Sequence, residues 1–158
     1  MLDIQPGRSS AANEVKALAE WIAEPDVDVG IDPEWNVGRR GVPGETTGKI
    51  SAAEINAASK RMDRIVRRED LPPKVLIVHQ FTRQMIKGRR AIEQRENVQV
   101  VLNFDGIGSP PAKVAGYESL AIDELFNGFS IFLRLDTKVM SPETILELVP
   151  AVSFLLYQ

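Results

Sequence analysis

Two acidic side chains, Asp32 and Glu34, have the clearest chemical potential in this sequence, and one proline separates them. Apolar residues alternate with polar or small ones over 27–31, which predicts a strand that runs into this motif. Residues i and i+2 of a strand point to the same side, so we expect the two carboxyl groups to lie side by side. Two close carboxyl groups repel each other when both are ionised, which lets one keep its proton near neutral pH. That is what a general acid needs to protonate a leaving-group oxygen.

The same motif could also serve structure alone. An Asp-Pro pair often opens a turn, and Glu34 could pair with Arg39 or Arg40 in the loop that follows. Trp35 also allows two interpretations. Its aromatic face suits the CH-rich face of a sugar ring, yet tryptophan is also common in protein cores. The motif alone leaves a catalytic and a structural interpretation open.

The elements that must position this motif alternate between strand and helix. Six apolar segments are typical of strands, at residues 2–5, 27–31, 74–80, 98–104, 129–135 and 152–157. Helical spacing or helix-start signals follow the first five of them, at residues 11–22, 51–70, 82–95, 112–126 and from Ser141 onward. Strands that alternate with helices form a parallel sheet with right-handed crossovers. We therefore expect an α/β fold in a single domain over residues 1–158.

Residues 33–50 form a long loop that contains glycine and proline, and a loop of this length is more often functional than neutral. Ser51 ends it and opens a helix, with Glu54 three residues on as a capping box. Ser141 followed by Pro142 is a second clear helix start.

Polar side chains occur at the carboxyl end of every predicted strand. In strand order they are Asp3 and Gln5, Asp32 and Glu34, His79 and Gln80, Asn103 and Asp105, Arg134 and Asp136, and Tyr157 and Gln158. Strands are often polar where they stop, but a buried polar group costs free energy unless it is paired or reaches solvent. A doubly wound sheet concentrates such groups at one switch point. Polar groups on all six ends favour a barrel mouth, where active sites lie, and we expect Trp35 and all of these residues except Arg134 to line it.

The length limits this interpretation. A complete (β/α)8 barrel usually has ~250 residues, and this chain has 158. The fold expected is therefore an incomplete (β/α)8 TIM-like barrel with six parallel strands and five helices, from which about two βα units are missing at the front. Such a sheet has two exposed edges, so we expect self-association through them.

Composition excludes several classes of protein and site. A net charge of −3 argues against nucleic acid as a partner. No apolar run is long enough to span a membrane, and no signal peptide is visible. The absence of cysteine excludes disulfide and thiolate chemistry.

Metal and cofactor motifs are weak. His79 is the only histidine, and a single histidine among scattered carboxylates does not make a zinc site. An oxygen-ligated magnesium or calcium site from Asp3, Asp32, Glu34 and Asp105 is conceivable, but no motif indicates one. The segment 105–108 has two glycines but lacks the third glycine of a dinucleotide-binding loop. We expect no metal and no cofactor.

The strand and motif over residues 27–35 resemble the fourth strand of chitinase-like and lysozyme-like (muramidase-type) glycoside hydrolase barrels, which ends in Asp-x-Glu with the glutamate as proton donor. The resemblance implies that Glu34 is the general acid and that Asp32 assists by placing the substrate or its acetamido group. It also makes Tyr157 and Gln158 a substrate-binding rim. The whole chain also looks like bacterial envelope or lipoprotein-type sequences with a hydrolase-like barrel, whose full-length relatives are expected to be secreted or anchored in the envelope.

The chain departs from these families in two ways. If the Asp-x-Glu strand is the fourth, the first two strands are absent, including the one that supplies an essential aspartate in muramidase-type barrels. The fuller chitinase pattern Asp-x-x-Asp-x-Asp-x-Glu is not met at Val29 and Gly30. The sequence thus predicts hydrolysis of a glycosidic bond in a cell-wall or other polysaccharide. The alternatives are a non-catalytic barrel remnant that binds a glycan or a partner at the cell envelope, and a small doubly wound enzyme or binding module.

Overall fold

The computed structural model describes all residues from 1 to 158 and contains eight strands and five α-helices. The strands are β1 (Leu2–Ile4), β2 (Val29–Ile31), β3 (Ile50–Ser51), β4 (Lys74–Gln80), β5 (Ile86–Lys87), β6 (Val98–Phe104), β7 (Phe126–Ile131) and β8 (Phe154–Tyr157). The helices are α1 (Ala11–Ala17), α2 (Ala19–Ile22), α3 (Ala52–Glu69), α4 (Pro110–Leu120) and α5 (Pro142–Leu146).

Six of the strands form one parallel sheet in the order β1-β2-β4-β6-β7-β8. The order follows the chain and never reverses, whereas a doubly wound sheet reverses at its switch point. The mixed α/β class and the six parallel strands are confirmed, and the doubly wound alternative is wrong. Strands β1 and β8 are the two edges, so the sheet is open. The remaining strands, β3 and β5, pair with each other in a separate two-stranded sheet that was not predicted.

Contacts divide the chain into two compact units. We term them the amino-terminal unit, Met1–Val78 with Gln84–Val100, and the carboxy-terminal unit, His79–Arg83 with Val101–Gln158. Strands β4 and β6 contribute residues to both units.

Helix α3 is the longest element of the amino-terminal unit, and its sequence explains both of its ends. The predicted capping box is present, because Ser51 accepts from the Glu54 amide and Glu54 accepts from the Ser51 amide. The helix ends at Asp70, which adopts a left-handed conformation with φ of 51°. Its apolar stripe, which includes Ile55 and Met62, is fully buried.

The carboxy-terminal unit has an aromatic core. Phe104, Tyr117 and Phe129 are all buried, and the Phe129 ring lies 5.7 Å from each of the other two ring centroids. Such tilted and edge-on pairs add stabilisation beyond the area they bury. The Tyr117 hydroxyl donates to the Pro150 carbonyl at 2.6 Å, and burial raises the pKa of this phenol to about 12.

The helix predicted over residues 82–95 is wrong. The segment contains two 3-10 turns, Arg83–Met85 and Arg89–Ala91, with strand β5 between them. Gly88 has a φ of 72°, a left-handed conformation that interrupts an α-helix, and β5 hydrogen-bonds with β3 instead.

Three further boundaries differ from the prediction. The helix predicted over 11–22 is divided into α1 and α2 at Leu18. The helix predicted over 112–126 ends at Leu120. The strand predicted over 129–135 lies at Phe126–Ile131, so Arg134 and Asp136 lie in the turn beyond it rather than at its end.

Candidate functional site

The carboxyl ends of β1 and β2 bring three predicted site residues together in the amino-terminal unit. The parallel register sets Asp3 opposite Gly30, and the Asp32 amide donates to the Ile4 carbonyl at 2.9 Å. The Gln5 side chain donates to Asp32 Oδ2 at 3.4 Å. A carboxylate oxygen of Asp3 lies within 4.8 Å of one of Asp32. The polar strand ends therefore converge across these two neighbouring strands.

Gly30 makes room for this arrangement. A Cβ atom at residue 30 would overlap the Asp3 carboxylate, which lies directly above the glycine. Asp3 is exposed and Asp32 is half-buried, so the pair is open to a ligand from solvent. Carboxylate oxygens of this kind are also the ligands that hard cations such as Mg²⁺ and Ca²⁺ prefer.

The strand geometry predicted for Asp32 and Glu34 is wrong. Strand β2 ends at Ile31, and Pro33–Trp35 form a single 3-10 turn that Asp32 precedes. Proline has no amide proton for a strand ladder but fits the first turn of a helix, which explains the change at this point. The acidic neighbour of Asp32 is thus Asp3 of the adjacent strand.

Glu34 is half-buried, and its Oε2 atom is shielded from solvent. Its backbone carbonyl accepts from the Gly48 amide at 2.6 Å, which ties the 3-10 turn to the far end of the long loop. Trp35 is also half-buried, and its ring lies close to Gly44 of the same loop.

A cavity of about 600 Å³ lies between the loop after β1 and the loop after β2. A parallel bridge between Gly7 and Asn36 joins the two loops, with the Val37 amide donating to the Gly7 carbonyl at 3.0 Å. The charged residues that line the cavity are Arg8, Arg39, Lys49 and Glu54. The long loop was predicted to be functional, but these lining residues were not singled out as a site.

The cavity wall is built on Asn36, which is 8% exposed. Its side-chain amide donates to the Lys49 carbonyl at 2.7 Å and to Glu54 Oε1 at 3.3 Å. Glu54 Oε2 accepts in turn from the Ser51 amide and hydroxyl, at 2.9 and 2.7 Å. Sequence reasoning found Glu54 as a helix cap, but nothing in the sequence indicates that Asn36 joins it to the loop.

The carboxy-terminal unit contains a second polar cluster at strand ends. Asp105 Oδ2 lies 3.5 Å from His79 Nδ1, and its Oδ1 accepts from Gln158 at 3.2 Å. Asn103 Nδ2 lies 3.2 Å from the same His79 nitrogen and donates to Ser130 Oγ at 2.7 Å. Four predicted site residues thus share one network, and Ser130, in a strand interpreted as apolar, completes it.

Electrostatics hold Asp105 of this cluster in its charged form. Burial raises the pKa of the Asp105 carboxyl, but hydrogen bonds from His79 and Ser130, with the attraction of His79 and Lys113, outweigh burial. The net effect places this pKa below its ordinary value of 3.8.

The remaining predicted residues of this unit are more dispersed. Gln80 is 1% exposed, and its carbonyl accepts from the Asp105 amide at 2.9 Å. Tyr157 is 48% exposed on β8. Asp136 pairs with Lys113 at 2.5 Å, and each of these side chains is only 1% exposed. Asp136 also accepts from the amides of Gly108 and Phe132, both at 3.0 Å, so the fold itself engages both of its oxygens.

No helix of the structure combines the length and the apolar character required to cross a lipid bilayer. Comparisons of this chain with protein-family models, with curated proteins and with solved structures found no match.

Proposed function

We propose that this protein acts on carbohydrate as a glycoside-hydrolase-like protein built on an incomplete TIM-like barrel, and that it cleaves a glycosidic bond in a cell-wall or other polysaccharide. One observation carries the proposal. Asp3, Gln5 and Asp32 converge at the carboxyl ends of two parallel strands, and Glu34 follows in the next turn. Active sites of parallel α/β proteins lie at these ends, and glycosidases work with paired carboxyl groups.

Glu34 is the general acid in this proposal. Glu34 is half-buried, and one of its carboxylate oxygens is shielded from solvent. It donates a proton to the glycosidic oxygen as the bond from that oxygen to the anomeric carbon breaks. A water molecule then adds to the anomeric carbon and gives a proton to the ionised Glu34 carboxylate, which restores the acid and completes hydrolysis.

Asp32 assists by holding a negative charge near the cation-like transition state. Asp3 is the second carboxyl group of the pair, because its oxygen lies within 4.8 Å of Asp32. Gln5 hydrogen-bonds with Asp32 and is exposed enough to contact a sugar hydroxyl. Trp35 provides the aromatic face for a sugar ring.

The alternative is a glycan- or partner-binding protein without turnover. The position of Glu34 favours this alternative, because Glu34 lies within a 3-10 turn that follows Asp32 and not beside Asp32 on a continuous strand. A general acid must reach the leaving oxygen of the substrate to act. A site in which Glu34 does not reach it binds the sugar and leaves the bond intact.

Turnover on a panel of chitin-type, peptidoglycan-type and neutral plant oligosaccharides separates the two. The wild type is compared with Glu34→Gln, Asp32→Asn and a matched control, Glu20→Gln, which changes an exposed glutamate of α2. Loss of a general acid lowers the rate by roughly 10²–10⁴-fold, so Glu34→Gln is expected to abolish measurable product release while its circular dichroism spectrum is unchanged. The Glu20→Gln control is expected to match the wild type.

Two results would overturn the catalytic proposal. Saturable binding of a sugar without turnover by the wild type would establish the binding protein instead. Equal turnover by the wild type and Glu34→Gln would show that Glu34 is not the general acid.

A further inference from the structure

The cavity between the loops after β1 and β2 is lined mainly by cations, although the net charge of the chain is negative. The chain has a net charge of −3, yet Arg8, Arg39 and Lys49 all line this space. Glu54 is the one acidic residue in the lining. Its carboxylate already accepts hydrogen bonds from Ser51 and Asn36. The cavity therefore presents three cations and one carboxylate that is occupied by the fold.

No carboxylate of the protein pairs with these three cations. The Arg8 Nε atom donates to the Gly41 carbonyl at 2.9 Å, which fixes the side chain but uses only one of its five N–H groups. The Lys49 backbone carbonyl accepts a hydrogen bond from the Asn36 side chain, while Lys49 itself is exposed. Arg39 is also exposed. The hydrogen-bond donors of these three exposed residues thus line an open cavity.

The cavity has the size and position of a binding subsite. About 600 Å³ lies within the usual range of small-molecule sites. Asn36 of its wall follows directly after the 3-10 turn that contains Glu34 and Trp35. Arg8 and Arg39 lie in the loops that follow β1 and β2, and the ends of these two strands carry the carboxylate pair.

We propose that this cavity binds the carboxylate of an acidic sugar, so that the substrate is an acidic rather than a neutral polysaccharide. This inference rests on the proposed function, because it specifies the substrate class of the same site. Arginine presents paired N–H donors that match a carboxylate, and such charged hydrogen bonds are about twice as strong as neutral ones. Lys49 adds a point charge to the same group.

Isothermal titration calorimetry on the intact chain tests this with two oligosaccharides of one backbone, one that ends in glucuronate and one that ends in glucose. Free glucuronate and inorganic phosphate are titrated separately. The variants are Arg39→Gln and Lys49→Gln, and the matched controls are Arg64→Gln and Lys60→Gln, which change exposed residues of α3 away from the cavity. The loss of one charged hydrogen bond lowers affinity by about tenfold.

The glucuronate-ended oligosaccharide is expected to bind at least about tenfold more tightly than the glucose-ended one. Each cavity variant should weaken only the acidic ligand, and the controls should not. If this holds without any turnover, the acidic subsite stands while the catalytic proposal fails. Equal affinity for both oligosaccharides would overturn the subsite and leave the glycan proposal intact. No binding of the acidic oligosaccharide, or tighter binding of phosphate than of glucuronate, would also overturn it.

Discussion

At the residue scale, the candidate site depends on a glycine, Gly30, which has no Cβ atom. Gly30 leaves the space that the Asp3 carboxylate occupies, and that space lets Asp3 approach Asp32. Asp3 and Asp32 lie 29 positions apart in the sequence, so their approach depends on the parallel pairing of β1 with β2. The sequence predicted that Asp32 pairs with Glu34 instead. That prediction required the strand to continue through Pro33, where β2 has already ended.

The substitution Gly30→Ala is expected to displace the Asp3 carboxylate and leave the fold intact. The overlapping atoms are the end of an exposed side chain, which can rotate away at a cost of about 1 kcal/mol or less. We expect a roughly tenfold loss of sugar affinity or turnover, and a similar loss for Asp3→Asn. Because both changes act on one group, the double variant should lose little more than either single one. Fully additive losses would show that Gly30 acts elsewhere.

The pair Lys113 and Asp136 is expected to stabilise the carboxy-terminal unit. Asp136→Asn leaves a buried ammonium group without its counter-charge, and breaking such a pair costs about 3 kcal/mol or more. Urea unfolding measures this loss. The control Asp123→Asn changes an exposed aspartate of the same unit and should shift stability by less than about 0.5 kcal/mol. Equal effects of the two variants would contradict a structural role for the pair.

The same pair gives stability a pH dependence of known sign. Burial raises the pKa of Asp136, but Lys113 and the amides of Phe132 and Gly108 outweigh burial and hold the pKa below 3.8 in the folded state. The contribution of Asp136 to the free energy of unfolding is therefore complete above its pKa in the unfolded state. It is lost as the pH falls through its pKa in the folded state. Urea midpoints of the wild type should fall below about pH 4, and more steeply than those of Asp136→Asn. Parallel curves for the two proteins would rule out Asp136 as a source of this dependence.

At the element scale, the loop from Asp32 to Lys49 shapes the cavity because its two ends are joined. Gly48 lies against the backbone of Asn36, and the Lys49 amide donates to the Asn36 carbonyl at 3.1 Å. Asn36 also contacts the cap of α3 through Glu54. The loop is thus held to the first turn of the longest helix.

The substitution Gly48→Ala tests this closure. A Cβ atom there would lie 2.5 Å from the Asn36 carbonyl carbon, and backbone cannot move away as a side-chain end can. We expect a loss of about 2 kcal/mol or more in urea unfolding. Gly38→Ala, where no atom lies within 4 Å but φ is +66°, should cost only the backbone strain, about 1–2 kcal/mol. A smaller loss for Gly48→Ala than for Gly38→Ala would contradict the tight approach of the two segments.

Local signals predicted elements well where they depend on neighbouring residues. The capping box at Ser51, the start of α5 at Ser141 and the apolar strands β4 and β6 all lie where the sequence placed them. The segment 82–95 failed because its apolar spacing resembled a helix, while Gly88 and the pairing of β5 with β3 decided otherwise. Pairing between distant segments leaves no local signal.

At the scale of the whole molecule, the strand order of the sheet explains which site residues could be predicted from the sequence to lie together. Polar strand ends were visible in the sequence, and parallel pairing brings Gln5 to Asp32 and Asn103 to Ser130 within their own units. The basic cavity was not visible, because its lining comes from loops whose conformation depends on tertiary hydrogen bonds. The buried role of Asp136 was hidden in the same way, since its partner Lys113 lies in a helix.

The open sheet is expected to make the protein self-associate. Strands β1 and β8 each have one edge without a neighbouring strand, and such edges pair readily with another copy. Light scattering coupled to size exclusion should show a species larger than the 17.5 kDa chain. A proline at Tyr157 of β8, Tyr157→Pro, should reduce association, because the amide of residue 157 faces the open edge whereas the next amide, of Gln158, donates to Ile131 of β7. A strictly monomeric wild type over a wide concentration range would contradict this expectation.

The proposed carbohydrate site lies at the carboxyl ends of β1 and β2, and mapping a bound sugar onto the chain tests this location most directly. Backbone amide shifts are recorded by NMR while chitin-type, peptidoglycan-type and glucuronate-ended oligosaccharides are added to the wild-type protein in separate titrations. We expect saturable changes that are largest at residues 3–8 and 30–37, where Asp3, Asp32 and Glu34 lie. Saturable changes confined to other parts of the chain, or none with any oligosaccharide of the panel, would contradict the claim.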